Sequence, residues 1–202
     1  AVFFGLIGGR LYHVITDWSR FSDDYGAIPQ VWKGGLGIPG GLIAGVLVGA
    51  WQAKRRGFRP GVILTFGAPA IALAQSIARW GNWFNQELYG RPTDLPWALE
   101  IDSEHASGFA PGTTFHPAFL YESLWNLALC FVLLRVQRQF RLAPGRLLAV
   151  YAIGYGAGRF WIEGLRIDPA REVGGMRWNQ WMALAAIAVG VVYLLVTRGR
   201  KW

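Results

Sequence analysis

Charge is scarce in this chain of 202 residues: 12 Asp and Glu and 20 Lys and Arg stand against an apolar share of 53%. That composition excludes an ordinary soluble globule, because so few polar groups cannot cover so much apolar surface. Cysteine is almost absent. The lone Cys130 excludes a disulfide within the chain, and among Leu, Phe and Val it reads as inert packing. The N-terminal stretch AVFFGLIGGRLYHVITDW lacks an initiator Met and lacks a basic region followed by a cleavage site. It is therefore not a signal peptide, and the chain is expected to begin inside a larger protein. No Gly-rich stretch runs from a strand into a Lys-Ser or Lys-Thr pair, which excludes a phosphate loop. There is no soluble basic domain and no aromatic-basic platform, so nucleic acid is not an expected partner despite the net charge of +8.

What the chain does have is long apolar runs. Six lie at about 1–17, 35–52, 62–79, 117–134, 147–163 and 179–197, near the roughly 20 helical residues that cross a bilayer core of about 30 Å. The expected fold class is all-α, a polytopic membrane helix bundle forming a single transmembrane domain over 1–202. Small residues in KGGLGIPGGLIAGVLVGA and GAPAIALA favour close helix approach. Pro39 and Pro69 fall inside runs and read as kinks.

The charges orient these spans. Lys54, Arg55, Arg56 and Arg59, then Arg135, Arg138, Arg141 and Arg146, then Arg198, Arg200 and Lys201 hold 11 of the 20 basic residues and none of the 12 acidic ones. By the positive-inside rule these segments are cytoplasmic. Alternation places 18–34, 80–116 and 164–178 outside, with 91–116, polar and acidic, forming either a small extracytoplasmic head or a solvated loop.

Charged groups within apolar spans are costly and mark function. Here they are Arg10, Arg79, Glu122, Arg159 and Glu163, and all five fall in the outer half of the membrane. In YGAGRFWIEGLR, Tyr155, Arg159, Glu163 and Arg166 follow i, i+4, i+8 and i+11, a stripe on one helix face. Two readings fit the stripe: an ion-pair ladder that holds helices together, or the wall of a polar cavity. Arginine's planar fork suits phosphate, and Arg10, Arg79 and Arg159 lie at the depth of outer-leaflet head groups, so a lipid phosphate is the expected ligand. Trp80, Trp83, Trp97, Trp161 and Trp178 fit an interfacial belt.

The stretch ARWGNWFNQELYGR, with Arg79, Gly81, Asn82, Asn85, Glu87, Gly90 and Arg91, resembles the signature of the bacterial prolipoprotein diacylglyceryl transferases. HPAFLYE (His116 to Glu122), GRFWIEGLR (Gly158 to Arg166), GGR (Gly8 to Arg10) and Gln180 match that family in the same order. The resemblance implies seven spans with the N-terminus outside, hence one span preceding this sequence. It implies a multi-pass enzyme of the bacterial cytoplasmic (inner) membrane with its active site on the extracytoplasmic side. The implied reaction moves the diacylglyceryl group of phosphatidylglycerol to the lipobox cysteine of a preprolipoprotein signal peptide, forming a thioether and releasing glycerol 1-phosphate. Membrane lipids surround the site, and no cofactor or metal is expected.

By the same resemblance Arg79 and Arg159 are the catalytic head-group residues. Asn82, Glu87, Gly90, Tyr155 and Glu163 are assigned to substrate binding, and Arg10, Glu122 and Arg166 join them as contact or support. Gly90 and Gly158 would permit close backbone approach. One position departs from the family: where many members carry a histidine before Gly-Gly, GIPGGLIAG has Pro39, which takes no proton. His116 is a candidate base, but capping or packing at a helix start fits it better, and the base stays unassigned. His13 reads as packing and His105 as exposed loop. An anion or lipid transporter is the alternative, weakened by the lack of inverted repeats and of a polar path through the inner half of the spans. An intramembrane serine protease fails because Ser76, in AQSIA, lacks a nucleophile setting.

Overall fold

A computed structural model describes residues 2–18, 21–22, 24–31, 35–58, 60–106, 108–140 and 142–198. Of the basic residues that orient the spans, Arg59, Arg141, Arg200 and Lys201 lie outside the described residues. Among the described residues there are six α-helices: α1 (Val2–Thr16), α2 (Ile38–Arg55), α3 (Pro60–Phe84), α4 (Ala118–Gln139), α5 (Arg146–Glu163) and α6 (Trp178–Val196). Each covers one of the six apolar runs. Two short antiparallel hairpins interrupt them: β1 (Leu99–Glu100) pairs with β2 (Thr114–Phe115), and β3 (Glu172–Val173) with β4 (Met176–Arg177).

The chain divides into two compact units, Ala1–Ile63 and Leu64–Trp202. In the first, α1 packs on α2 through glycine. A Cβ at Gly8 would overlap the Ala44 methyl and the Gly40 carbonyl, and a Cβ at Gly40 would overlap the Gly8 carbonyl. Backbones this close gain dispersion contacts that no larger residue allows, as small-residue seams do in membrane helices. Pro39 lies in the first turn of α2, not at an interior kink. Its missing N–H would have no intrahelical partner there, so the helix loses nothing.

In the second unit a core of Ala68, Ala72, Leu129, Cys130, Leu133 and Leu147 joins α3, α4 and α5. Cys130 is thus a packing residue, as its apolar neighbours in sequence suggest. Ser76 and Ser123 lock α3 to α4 reciprocally: Ser76 Oγ donates to the Ser123 carbonyl at 2.8 Å, and Ser123 Oγ to the Ser76 carbonyl at 2.9 Å. Buried hydroxyls require such partners. Pro69 does lie inside its helix.

Helix α3 runs five residues past Arg79, so Arg79 does not sit at a helix end as the apolar run suggests. The reason is aromatic packing. Trp80 and Trp83 each lie against Phe119 of α4, at centroid distances of 5.6 and 6.1 Å, and hold the polar extension helical.

Among the described residues, α4 and α6 are long and apolar enough to cross a membrane, and α1 is apolar but shorter. Only 11% of the most apolar stretch of α6 is buried, whereas the core helix of a soluble protein would be covered. Phe3, Phe131, Val189, Leu195 and Val196 are likewise exposed, a surface that is stable against lipid rather than water.

Candidate functional site

The charged residues of α3, α4 and α5 meet in one chain of contacts within the second unit. Arg79 comes from α3, Glu122 from the second turn of α4, and Arg159 and Glu163 from the end of α5, one helical turn apart. The Glu122 carboxylate bridges two helices: its Oε2 lies 2.5 Å from Arg79 Nε, and its Oε1 accepts from Arg159 Nη1 at 2.7 Å. Arg159 Nη2 then lies 2.8 Å from Glu163 Oε2. Glu122 and Glu163 are buried, while the Arg79 and Arg159 side chains keep 23% and 16% of their surface.

Beyond Glu163 the chain continues through Arg166, the last residue of the stripe, to three residues that the sequence patterns do not single out. Arg166 Nη1 lies 3.6 Å from Glu163 Oε2, and its Nε donates to Asp168 Oδ1 at 2.7 Å. Arg177, at the start of α6, lies 3.0 Å from Glu163 Oε1, and Asn179 donates to the same oxygen at 3.0 Å. Asp168, Arg177 and Asn179 sit in or beside the loop between α5 and α6, where charge is unremarkable by sequence. The only cue is spacing, with Arg166 and Asp168 two apart and Arg177 abutting an apolar run.

Four arginines thus meet three carboxylates: Arg79, Arg159, Arg166 and Arg177 against Glu122, Glu163 and Asp168. One positive charge is left over. Each such group costs about 2.5–3.5 kcal/mol at a membrane helix centre when unpaired, so mutual pairing is what makes the cluster tolerable. Burial disfavours ionisation of Asp168, but its hydrogen bond to Arg166 and the charges of Arg166 and Arg177 outweigh that and hold its carboxyl below the ordinary range. Burial likewise works against the Arg166 charge, yet Asp168, Glu163 and Glu122 raise its pKa.

The other expected residues fall around this chain. Asn82 Oδ1 accepts from Arg79 Nη1 at 3.2 Å, and Asn82 and Asn85 both donate to Glu87 Oε1, at 2.9 and 3.0 Å. Glu87 therefore reaches Arg79 through Asn82. Tyr155 lines a crevice of about 10 Å³ with Glu122, Trp125, Asn126, Gly158, Arg159 and Ile162, space for one water at most. A Cβ at Gly158 would overlap the Trp125 indole, which donates to the Gly154 carbonyl at 2.9 Å.

Gly90 lies in a backbone seam. Its N–H donates to the His116 carbonyl at 2.9 Å, Arg91 N–H donates to the Leu165 carbonyl at 2.9 Å, and a Cβ would stand 2.8 Å from His116 Cβ. The seam ties the segment after α3 to the loop after α5. Among the described residues after α3, Ile101, Ala106 and Phe115 form a small buried cluster with Tyr89, Leu99 and Ile167 packed against it, Gln86 and Asp102 are hydrogen-bonded to each other twice, and His105 is exposed.

His116 Nδ1 is 3.1 Å from the Tyr121 hydroxyl, to which Trp97 Nε1 donates at 2.9 Å. These rings, with Leu120, Leu124, Trp161 and Leu165, line an apolar cavity of about 460 Å³. Arg10 belongs to the first unit, where Nε, Nη2 and Nη1 donate to the carbonyls of Ile28, Ala27 and Gly35 at 2.7, 2.6 and 2.9 Å. That fork anchors the loop between α1 and α2. His13 packs edge-on to Phe21 and pairs with Asp17 at 3.0 Å.

Exposed apolar helices and a buried arginine–carboxylate chain across the ends of four of them define a membrane protein equipped to meet an anion. The profile of the prolipoprotein diacylglyceryl transferase family matches residues 1–196, and the chain belongs to that family. It is 51% identical over 205 residues to phosphatidylglycerol–prolipoprotein diacylglyceryl transferase 1 of Streptomyces coelicolor, covering 100% of this chain and 59% of that protein. It is 51% identical to the transferase of the same name, without the numeral, from Streptomyces griseus, over 98% of this chain and 61% of the relative. Against the Frankia alni transferase it is 50% identical over 98% of this chain and 53% of the relative. The chain thus spans somewhat over half the length of these curated relatives.

Proposed function

We propose that the protein containing this chain transfers the diacylglyceryl group of phosphatidylglycerol to the lipobox cysteine of preprolipoproteins, the activity for which its relatives are named. The observation that carries the reading is the Glu122 bridge, which sets the two partly exposed forks of Arg79 and Arg159 on one carboxylate. Among the described residues, Arg79 Nη2 and Arg159 Nε make none of the bonds of the cluster, and they are suited to a phosphate.

In the reaction the cysteine sulfur attacks the glyceryl carbon that bears the phosphate. The new C–S bond is the thioether, the C–O bond to phosphate breaks, and its electron pair leaves with glycerol 1-phosphate. The thiol proton departs to a base or to the leaving phosphate. As that bond breaks, negative charge builds on the phosphate, and preorganised guanidinium groups in a low-dielectric site stabilise it more than they stabilise the diester. Asn82 orients Arg79, and Glu163 orients Arg159. The nucleophile comes from the substrate, in keeping with a chain whose only cysteine is buried packing.

The same reading takes all six helices as spans of the bacterial cytoplasmic membrane, with the ion cluster and the 91–116 head outside. The aromatic residues at that level, Trp80, Trp83, Trp97, Trp161 and Trp178, form the outer interfacial belt. The test is to incubate the full-length protein with phosphatidylglycerol vesicles and a peptide bearing a Leu-x-Gly-Cys lipobox. A diacylglyceryl mass gain on the cysteine supports the reading. Vectorial flux of glycerol phosphate in proteoliposomes, with no adduct, would replace it with a transporter.

A further inference from the structure

Arg177 is buried, 8% exposed, and its guanidinium is enclosed by acceptors. Nη1 donates to the Arg166 carbonyl at 2.6 Å, Nη2 to the Asp168 carbonyl at 2.9 Å and to Asp168 Oδ2 at 3.0 Å, and Nε lies 3.0 Å from Glu163 Oε1. A fork engaged on four sides has no edge left for a ligand, so Arg177 does not bind substrate. What it controls is Glu163, which is fully buried.

The two oxygens of Glu163 face different ways. Oε2 lies toward Arg159 at 2.8 Å, while Oε1 is held by Arg177 and by Asn179, each at 3.0 Å. Without Arg177, Oε1 would keep only the neutral Asn179 amide while both remaining cations, Arg159 and Arg166, lie on Oε2, so the carboxylate would be less firmly held about its terminal torsion, which is intrinsically soft. Arg159 would then lose the fixed contact on Nη2 and keep only Glu122. Arg177 also ties 166–168 and the β3–β4 hairpin to the end of α5, so it fixes the backbone from which Arg166 approaches the same glutamate.

We infer that Arg177 is a positioning residue for the transfer reaction: through Glu163 it fixes the plane of the Arg159 guanidinium. The inference rests on the transferase reading above. It follows from the sensitivity of charge stabilisation to geometry, since a misplacement of about 1 Å costs about 10²-fold in rate.

The experiment uses the full-length enzyme with phosphatidylglycerol vesicles and a lipobox peptide, with folded protein quantified by detergent gel filtration. Arg177→Gln is expected to lower kcat by about 10- to 100-fold with KM for phosphatidylglycerol changed by less than about threefold, because ground-state binding is kept while the transition state loses its fixed donor. Arg177→Lys, which restores the charge without the fork, is expected to have an intermediate kcat. The double variant Arg177→Gln with Glu163→Gln should be no worse than the more damaged single variant, since both act through one carboxylate. A wild-type kcat in folded Arg177→Gln, a loss confined to KM, or losses that multiply in the double variant would overturn the inference. If Arg177→Gln does not fold, Arg177→Lys decides alone: lowered kcat at unchanged KM supports the role, and wild-type kcat overturns it. Absence of transfer by the unmutated enzyme overturns the transferase reading and this role with it, whereas an active enzyme indifferent to Arg177 overturns only the role.

Discussion

At the scale of single residues, the division of labour among the arginines follows from exposure. Arg166 and Arg177 are sealed into the protein, with 6% and 10% of their side chains exposed, whereas Arg79 and Arg159 retain 23% and 16%. Only the second pair has donors to give a ligand. Replacing Arg159 or Arg79 by Ala is therefore expected to lower kcat by at least about 10²-fold, the loss typical of one charge-stabilising donor. Single-turnover transfer to a lipobox peptide measures it, and near-wild-type turnover by both variants would show that the phosphate lies elsewhere. Glu122 has a different kind of importance. It neutralises two guanidinium groups from a buried position, and Glu122→Gln would leave them facing each other. Breaking a buried ion pair from one side costs on the order of 3–5 kcal/mol, so this variant should unfold at markedly lower temperature in detergent than Arg79→Ala, which removes one of the two cations. Equal melting temperatures for the two would mean that Glu122 is not the electrostatic hub.

At the scale of elements, helices were legible and the connections between them were not. Apolar runs marked all six helices because a continuous run of this length has no other stable backbone in lipid. The end of α3 lies beyond the apolar run because the polar ARWGNWF is held helical by Phe119, a contact from another helix that no local pattern contains. The stripe Tyr155, Arg159, Glu163 and Arg166 was legible from helical spacing alone, and its ion pairs are present. The partners of that stripe across the bundle, Glu122 and Arg177, are not assignable by spacing, since one lies on α4 and the other at the end of β4, just before α6. Gly90 shows a further limit: its place between His116 and Leu165 depends on two segments distant in sequence. The loop after α5 carries an element-level prediction. Asp168 has a depressed pKa in the folded protein, so its contribution is present in full above the unfolded value of 3.8 and is lost as pH falls through the lower folded value. The raised pKa of Arg166 keeps its partner charged over this range, so the acid limb belongs to the carboxylate. Thermal stability followed from pH 7 down to pH 3 should fall at the acid end, and Asp168→Asn should start lower and fall less steeply. An unchanged slope in that variant would place the acid sensitivity in another carboxylate.

At the scale of the whole molecule, the charges form two populations with different physics. Those of the ion cluster are paired one to one or nearly so, and they are buried where solvation is poor. The basic residues between α2 and α3, between α4 and α5, and after α6 are instead accompanied by no acidic residue. Unpaired positive charge of this kind is retained on the cytoplasmic face during insertion. Exposed apolar surface on α1, α4 and α6 requires lipid around the helices. On the proposed reading, the ion cluster, at the opposite helix ends from the basic segments, is expected on the extracytoplasmic side, where a secreted thiol would arrive. The arrangement has a direct readout. Ser103→Cys, in the exposed part of the head, should react with a membrane-impermeant maleimide applied to intact cells. Gln139→Cys, at the exposed end of α4 beside Arg135 and Arg138, should react only after the membrane is permeabilised. Cys130 is buried and should stay silent in both. Labelling of Gln139→Cys in intact cells with Ser103→Cys protected would invert the topology and put the arginine pair on the wrong side for a secreted thiol, which no adjustment of side-chain chemistry in the site would repair.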